Sequence, residues 1–391
     1  MTGLGLPSPR IVFAPDSFKG TASAAEMAAA LADGWARVRA GDRLVLRPMA
    51  DGGEGTIDAF AAAHPDTCHR VSTVQGPDGG TTHCAWLLLP GSIALVELAS
   101  ASGITLLDEL LPLTSHTVGF GEAIVAALDA GAGRLILAIG GSASSDGGAG
   151  VLTALGARLL DDNGNPVQPG NAGLAEIESI DLTALRPVPH GGAVVLSDVR
   201  NPLLGPHGAV AVFGAQKGIT ESLVETAELN LVRFAVKLAE AGERHGIDAS
   251  RFDPTHPGAG AAGGTGFGLR AWGAEIIDGA AEVAARIRLA DAVAGADLVI
   301  TGEGRYDTQS EHGKVPGLVR AVARAAGARC ALVAGVVQAG TERFDAASSL
   351  AELAGSPSAA RAEPVRWARE AGAALAHRFD GRHFHDRREK T

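Results

Sequence analysis

The sequence predicts an α/β protein in which a doubly wound parallel sheet is interrupted by a second, mixed α/β domain. Three observations carry this. At both ends of the chain, short apolar runs alternate with amphipathic ones, the rhythm of parallel strands joined by right-handed crossover helices. Between them lies an extended stretch broken by turn residues from about residue 66. The 391 residues, 46% of them hydrophobic, are also too many for one ordinary core and enough for two. The expected split domain is 1–65 with 291–391, around an insert at 66–290.

Arg10–Pro15 (RIVFAP) reads as a buried strand that ends in Asp16-Ser17-Phe18-Lys19-Gly20. Ser23 with Glu26 three residues on is a capping box, opening an alanine-rich helix to about residue 39. A second strand, 43–48, leads through the loop 50–56 into another helix. Residues 69–75, 82–89 and 92–99 are extended segments separated by Gly76-Pro77-Asp78-Gly79-Gly80 and Pro90-Gly91, an antiparallel meander. A strand at 134–139, a loop at 140–150 and a helix to about 160 make a βα unit. A strand at 193–197 ends at Asp198, a long helix covers 221–245, and a glycine-dense loop spans 258–268. The first texture then returns. A strand at 297–301 ends in Gly302-Glu303-Gly304, followed by a helix at 315–326, a strand at 329–334, a weakly marked strand at 343–350 and an amphipathic helix at 364–378.

Composition narrows the function. Net charge is −11 and no basic stripe precedes the final residues, which argues against nucleic acid or an anionic membrane as partner. Aromatics are only 4%, so the cores are expected to be aliphatic. Cys68, Cys84 and Cys330 show no metal or redox spacing and read as small core residues. No secretory leader pattern and no bilayer-length apolar run occurs, so the expected compartment is the cytoplasm. The 53 glycines cluster in loops, where backbone must approach a ligand closely.

Two familiar glycine patterns do not apply. Gly258-Ala259-Gly260-Ala261-Ala262-Gly263 fits G-x-G-x-x-G, but Asp253-Pro254-Thr255-His256-Pro257 before it cannot be a buried strand. Gly313-Lys314 is followed by Val315 where a P-loop needs Ser or Thr. Other loops at strand ends are more informative. Gly140-Gly141-Ser142-Ala143-Ser144-Ser145-Asp146-Gly147-Gly148 either aims amides at a phosphate or is a tight βα turn capped by Asp146. Asp51 and Glu54 flank two glycines and either cap a helix or hold Mg²⁺. Glu303 stands between glycines beside Arg305, Asp307, Gln309 and Lys314. Lys19 ends the first loop, where a lysine can neutralise phosphate. Asp198-Val199-Arg200-Asn201-Pro202 and Gln216-Lys217-Gly218 are candidates for a cleft wall on the insert. His383 and His385 lie in a basic tail and form no metal cluster.

These segments, in this order along nearly the whole chain, resemble the bacterial glycerate kinase family, the type 1 enzymes of glyoxylate and glucarate metabolism. The likeness rests on residues 14–20, 49–56, 140–143, 146–148, 198–202, 213–218, 260–264 and 301–305. It departs from the family pattern at Ser144-Ser145, where Thr-Asn is usual, and through 340–360. The resemblance implies a flavodoxin-like domain interrupted by a second α/β domain. It also implies phosphoryl transfer from ATP with Mg²⁺ to D-glycerate, with 2-phosphoglycerate favoured over 3-phosphoglycerate. A homodimer is the assembly left open.

Kinase chemistry needs in-line positioning, cations on the phosphates and a carboxylate near the attacking hydroxyl. The expected catalytic residues are therefore Lys19, Asp16 and Asp198, with Asp51, Glu54 and Glu303 facing the metal. Gly140, Gly141, Ser142, Asp146 and Gly147 are expected at the nucleotide phosphates, and Ser17, Arg305, Lys217 and Gln216 at the substrate. The competing expectations are a kinase of a related hydroxy acid, such as tartronate or erythronate, and a non-catalytic ligand sensor on the same fold.

Overall fold

Residues 8–307 and 315–379 are described in the computed structural model. In chain order the strands are β1 (Arg10–Pro15), β2 (Arg43–Leu46), β3 (Cys68–Gln75), β4 (Thr81–Leu89), β5 (Ile93–Glu97), β6 (Arg134–Ala138) and β7 (Arg158–Leu160). They continue with β8 (Ser179–Asp181), β9 (Ala193–Leu196), β10 (Glu275–Ile277), β11 (Leu298–Tyr306), β12 (Arg329–Val337) and β13 (Ala346–Ser349). The chain divides into two units. One comprises Met1–Asp51, Asp58–Pro65 and Ala280–Thr391, the other Gly52–Ile57 and Asp66–Gly279.

The first unit holds a fully parallel sheet ordered β2-β1-β11-β12-β13. Counting its own strands, this is the flavodoxin-like order, which reverses direction beside β1 and so opens a crevice at the strands' carboxyl ends. The central strands are near-continuous apolar runs because helices cover both faces of a parallel sheet. Ala14 pairs with Thr301 and Pro15 with Gly302, so β1 and β11 deliver their following residues to the same edge. Aromatic rings meet in this core. Trp35 packs edge-on against Phe13 at 6.3 Å and against Phe379 at 5.5 Å. The helices Ala24–Val38 and Pro364–Arg378 cross closely, and a Cβ on Gly34 would collide with the Arg369 carbonyl.

The second unit is built on a mixed sheet ordered β10-β9-β6-β5-β4-β3. The meander β3-β4-β5 is antiparallel, and β5, β6, β9 and β10 then pair in parallel. Its core includes Val96, Phe120, Leu137, Val195, Leu231, Phe234 and Phe267.

Four expectations change. β11 runs on through Gly302-Glu303-Gly304-Arg305 instead of stopping at Thr301, because it stays paired with β12 as far as Tyr306–Val337. The helix expected to reach residue 160 ends as Ala149–Ala154, since Gly156 turns the chain at φ +108° and β7 begins two residues later. The glycine-dense loop stops at Gly264, where the helix Thr265–Trp272 begins. Cys84 and Cys330 are buried, but Cys68 is exposed on the edge strand β3. No helix of the described residues is long and apolar enough to cross a membrane.

Candidate active site

At the carboxyl edge of the first unit's sheet, backbone pairing sets the first side chain. The Asp16 amide donates to the Gly302 carbonyl at 2.8 Å, extending the β1–β11 ladder by one residue and holding Asp16 beside Glu303. The Met49 amide donates to the Pro15 carbonyl at 2.9 Å, which brings the chain back so that Asp51 joins the same edge. Lys19 reaches across from the first loop, its Nζ 2.9 Å from Asp51 Oδ2. The lysine side chain is 69% exposed and the aspartate 10%, so one partner faces solvent and the other the protein.

These groups line a cavity of about 290 Å³. Its polar side is Asp16, Ser17, Lys19, Asp51, Glu303 and Arg305, with Asp307 and Arg361. Phe18, Val336, Leu350, Pro357, Ala360 and Pro364 form an apolar side. Glycine is required where the strands meet the cavity, since a Cβ on Gly335 would collide with the Gly304 carbonyl.

Asp16 is the electrostatic centre. It is 5% exposed, and its carboxyl is held well above the usual carboxylate range, chiefly by burial and then by the Asp51 charge. Lys19 and the Ser17 amide, which donates to Asp16 Oδ1 at 2.7 Å, pull it back, and Glu303 adds a smaller push upward. Three carboxylates and the Lys19 ammonium thus line one cavity, and carboxylate oxygen is the donor type that suits a hard divalent cation. No group of three or more His, Cys, Asp or Glu poised to hold a metal occurs among the described residues. Mg²⁺ does not need one: it keeps several waters and binds through one or two carboxylates plus substrate phosphates.

The remaining candidates lie in the second unit. Asp146 is fully buried and accepts from the Thr117 amide and hydroxyl at 2.9 and 2.8 Å, and from the Gly148 and Gly150 amides at 3.0 and 3.2 Å. The Gly140 amide donates to the Gly52 carbonyl and the Gly147 amide to the Gly263 carbonyl. The Gly140, Gly147, Gly148 and Gly150 amides thus serve protein acceptors. Lys217 is 3% exposed, with Nζ 2.6 Å from both Ser142 Oγ and the Ser144 carbonyl, so its amine braces the serine turn instead of lining an open wall. Burial lowers its pKa to about 7, against a smaller upward pull from Asp146. Gly141 takes a φ of +75°. Glu54, Asp198 and Gln216 are exposed.

Two groups carried no recognisable signal. Glu97, at the end of β5, accepts from the Gly55 and Ile57 amides at 3.1 Å each and so supplies the carboxylate at the start of the helix Thr56–Ala63. Only its position at a strand end could have marked it. The apolar side of the cavity comes largely from 350–364, a stretch without a motif. Gln309, Lys314, His383 and His385 lie outside the described residues.

With this geometry in place, comparison with known proteins is informative. Residues 11–380 match the model of the Glycerate kinase family. A glycerate 2-kinase of Escherichia coli (strain K12) is 41% identical over 312 residues, covering 78% of this chain and 80% of that protein. A glycerate kinase of Bacillus subtilis (strain 168) is 43% identical over 314 residues, with 78% and 80% covered. A crystal structure described as that of a candidate glycerate kinase 2 from Salmonella typhimurium LT2 superposes with a TM-score of 0.78 at 36% identity, covering 95% of this chain and 98% of that one.

Proposed function

The chain belongs to the glycerate kinase family, and from that premise we propose that it transfers the terminal phosphoryl group of ATP to the 2-hydroxyl of D-glycerate. The observation that carries the placement of this chemistry is the Lys19–Asp51 pair beside buried Asp16 and Glu303, at the crevice edge of the parallel sheet.

Lys19, on an exposed stem, meets the incoming phosphates and offsets charge on the group in flight. Asp51 and Glu303 are the carboxylates that would hold Mg²⁺, which when bound neutralises charge on the phosphate oxygens. Asp16 takes the proton of the glycerate hydroxyl, since a carboxylate with a raised pKa is the stronger base. Arg305, exposed at the rim, offers a two-pronged donor for the glycerate carboxylate, and Ser17 a hydroxyl beside it. The apolar side around Phe18, Val336, Leu350 and Pro364 suits the adenine ring.

The test is ³¹P NMR of the product formed from ATP, Mg²⁺ and D-glycerate, with tartronate and erythronate run in parallel. The expected product is 2-phosphoglycerate, its phosphorus coupled to the single C2 proton. Coupling to a methylene pair would identify 3-phosphoglycerate and overturn the regiochemistry. Turnover of tartronate or erythronate but not D-glycerate would overturn the substrate.

A further inference from the structure

A second hollow, of about 390 Å³, lies at the opposite end of the first unit's sheet from the acidic cavity. Four arginines line it. Arg320 and Arg324 come from the final turns of the helix Val315–Ala325, Arg329 opens β12, and Arg343 stands in the connection to β13. Among the described residues, only Arg329 of the four has a carboxylate partner, Asp345, at 3.1 Å. The second Asp345 oxygen accepts from the Cys330 amide at 2.8 Å. Among the described residues no ion pair involves Arg320, Arg324 or Arg343, and Arg320 lies over the Phe344 ring at 5.7 Å.

Four positive charges against Asp345 and Glu342 is an uncommon balance in a chain whose net charge is −11. The helix carboxyl end explains part of it, because exposed carbonyls there favour Arg324. It does nothing for Arg329 and Arg343, which arrive from other elements. All four line the same hollow beside the buried Cys330. Like charges gathered around a hollow repel one another unless an anion joins them, and guanidinium groups present forked donors that match multi-oxygen anions.

We propose that this hollow is a binding site for a small polyvalent oxyanion, of the class that includes pyrophosphate and phosphorylated carboxylic acids, held by Arg320, Arg324 and Arg343. It is separate from the acidic cavity. β12 spans the two, with Arg329 in the hollow and Gly335 and Val336 in the cavity wall. The proposal does not depend on which acid the enzyme phosphorylates.

Isothermal titration of the full chain with inorganic pyrophosphate, in low salt without divalent metal, tests it. The wild type should bind, with affinity falling as salt is added. Lys19→Ala should keep that binding, since the lysine belongs to the other cavity. The double variant Arg320→Gln/Arg343→Gln should weaken it by ~10-fold or more, as expected when charge-assisted hydrogen bonds are lost. Arg343 is exposed, so Arg343→Gln alone should fold normally and still weaken binding several-fold, deciding the matter if the double variant melts early. Full affinity in the arginine variants, loss of all binding in Lys19→Ala, or no heat with the wild type at millimolar pyrophosphate would each overturn the proposal.

Discussion

Asp16 shows how a single side chain trades stability for chemistry. Burial and the neighbouring Asp51 charge raise its pKa, so in the window above its ordinary 3.8 the folded chain holds a proton that the unfolded chain has released. Stability from this group is therefore present at low pH and lost as pH rises through the folded value. Asp16→Asn removes the repulsion and is expected to melt higher than wild type near neutral pH, with the gap closing towards pH 4. The same change should cut turnover by ~10²–10⁴, the usual loss of a proton acceptor. Calorimetric melts across pH and a coupled ADP assay measure both, and unchanged turnover would remove Asp16 from the reaction. Lys217 runs the other way. Its amine is pushed down to about 7 from an ordinary 10.5, so between these values the unfolded chain carries the extra proton. Stability rises with pH across that window and is lost as pH falls through about 7. The melting-temperature advantage of wild type over Lys217→Met should grow from pH 7 to pH 10, and a constant difference would reject a titrating amine.

At the scale of elements, glycine content reflects crowding as much as ligand approach. A Cβ on Gly263 would collide with the Ser144 carbonyl and stand 2.8 Å from Lys217 Nζ, so the loop before the helix Thr265–Trp272 and the serine turn exist as one packed unit. Gly263 also takes a φ of +66°, which penalises any other residue. Gly263→Ala is expected to destabilise the protein by ~1–3 kcal/mol through overpacking and backbone strain. A urea midpoint equal to wild type would show that the turn can relax. In the sequence, this turn, the Gly140 loop and the loop at Gly302 look alike, because local composition does not say where amides point. Pairing decided that Gly302–Arg305 is strand, and the Gly263 carbonyl and Asp146 decided that the Gly147 and Gly148 amides face inward.

For the whole molecule, the site assigned to the first unit implies ligand linkage. MgATP near 100 times its dissociation constant should stabilise that unit by about 2.7 kcal/mol. Lys19→Ala should lose most of that shift in a thermal melt, and an undiminished shift would move the nucleotide elsewhere. The sequence alone determined the alternation of strand and helix, both ends of β1, the start of β12, the helix Pro364–Arg378 to the residue, and the acidic loops after β1 and β2. These follow from apolar periodicity, capping and the chemistry of short motifs, all local. Tertiary structure alone decided that Asp16, Lys19, Asp51 and Glu303 share a cavity, that Glu97 caps a helix 40 residues before it, that Lys217 is buried, and that four arginines meet at the far end of the sheet. Those depend on strand register and on which backbone groups find partners across long stretches of chain, and neither is written in any short segment.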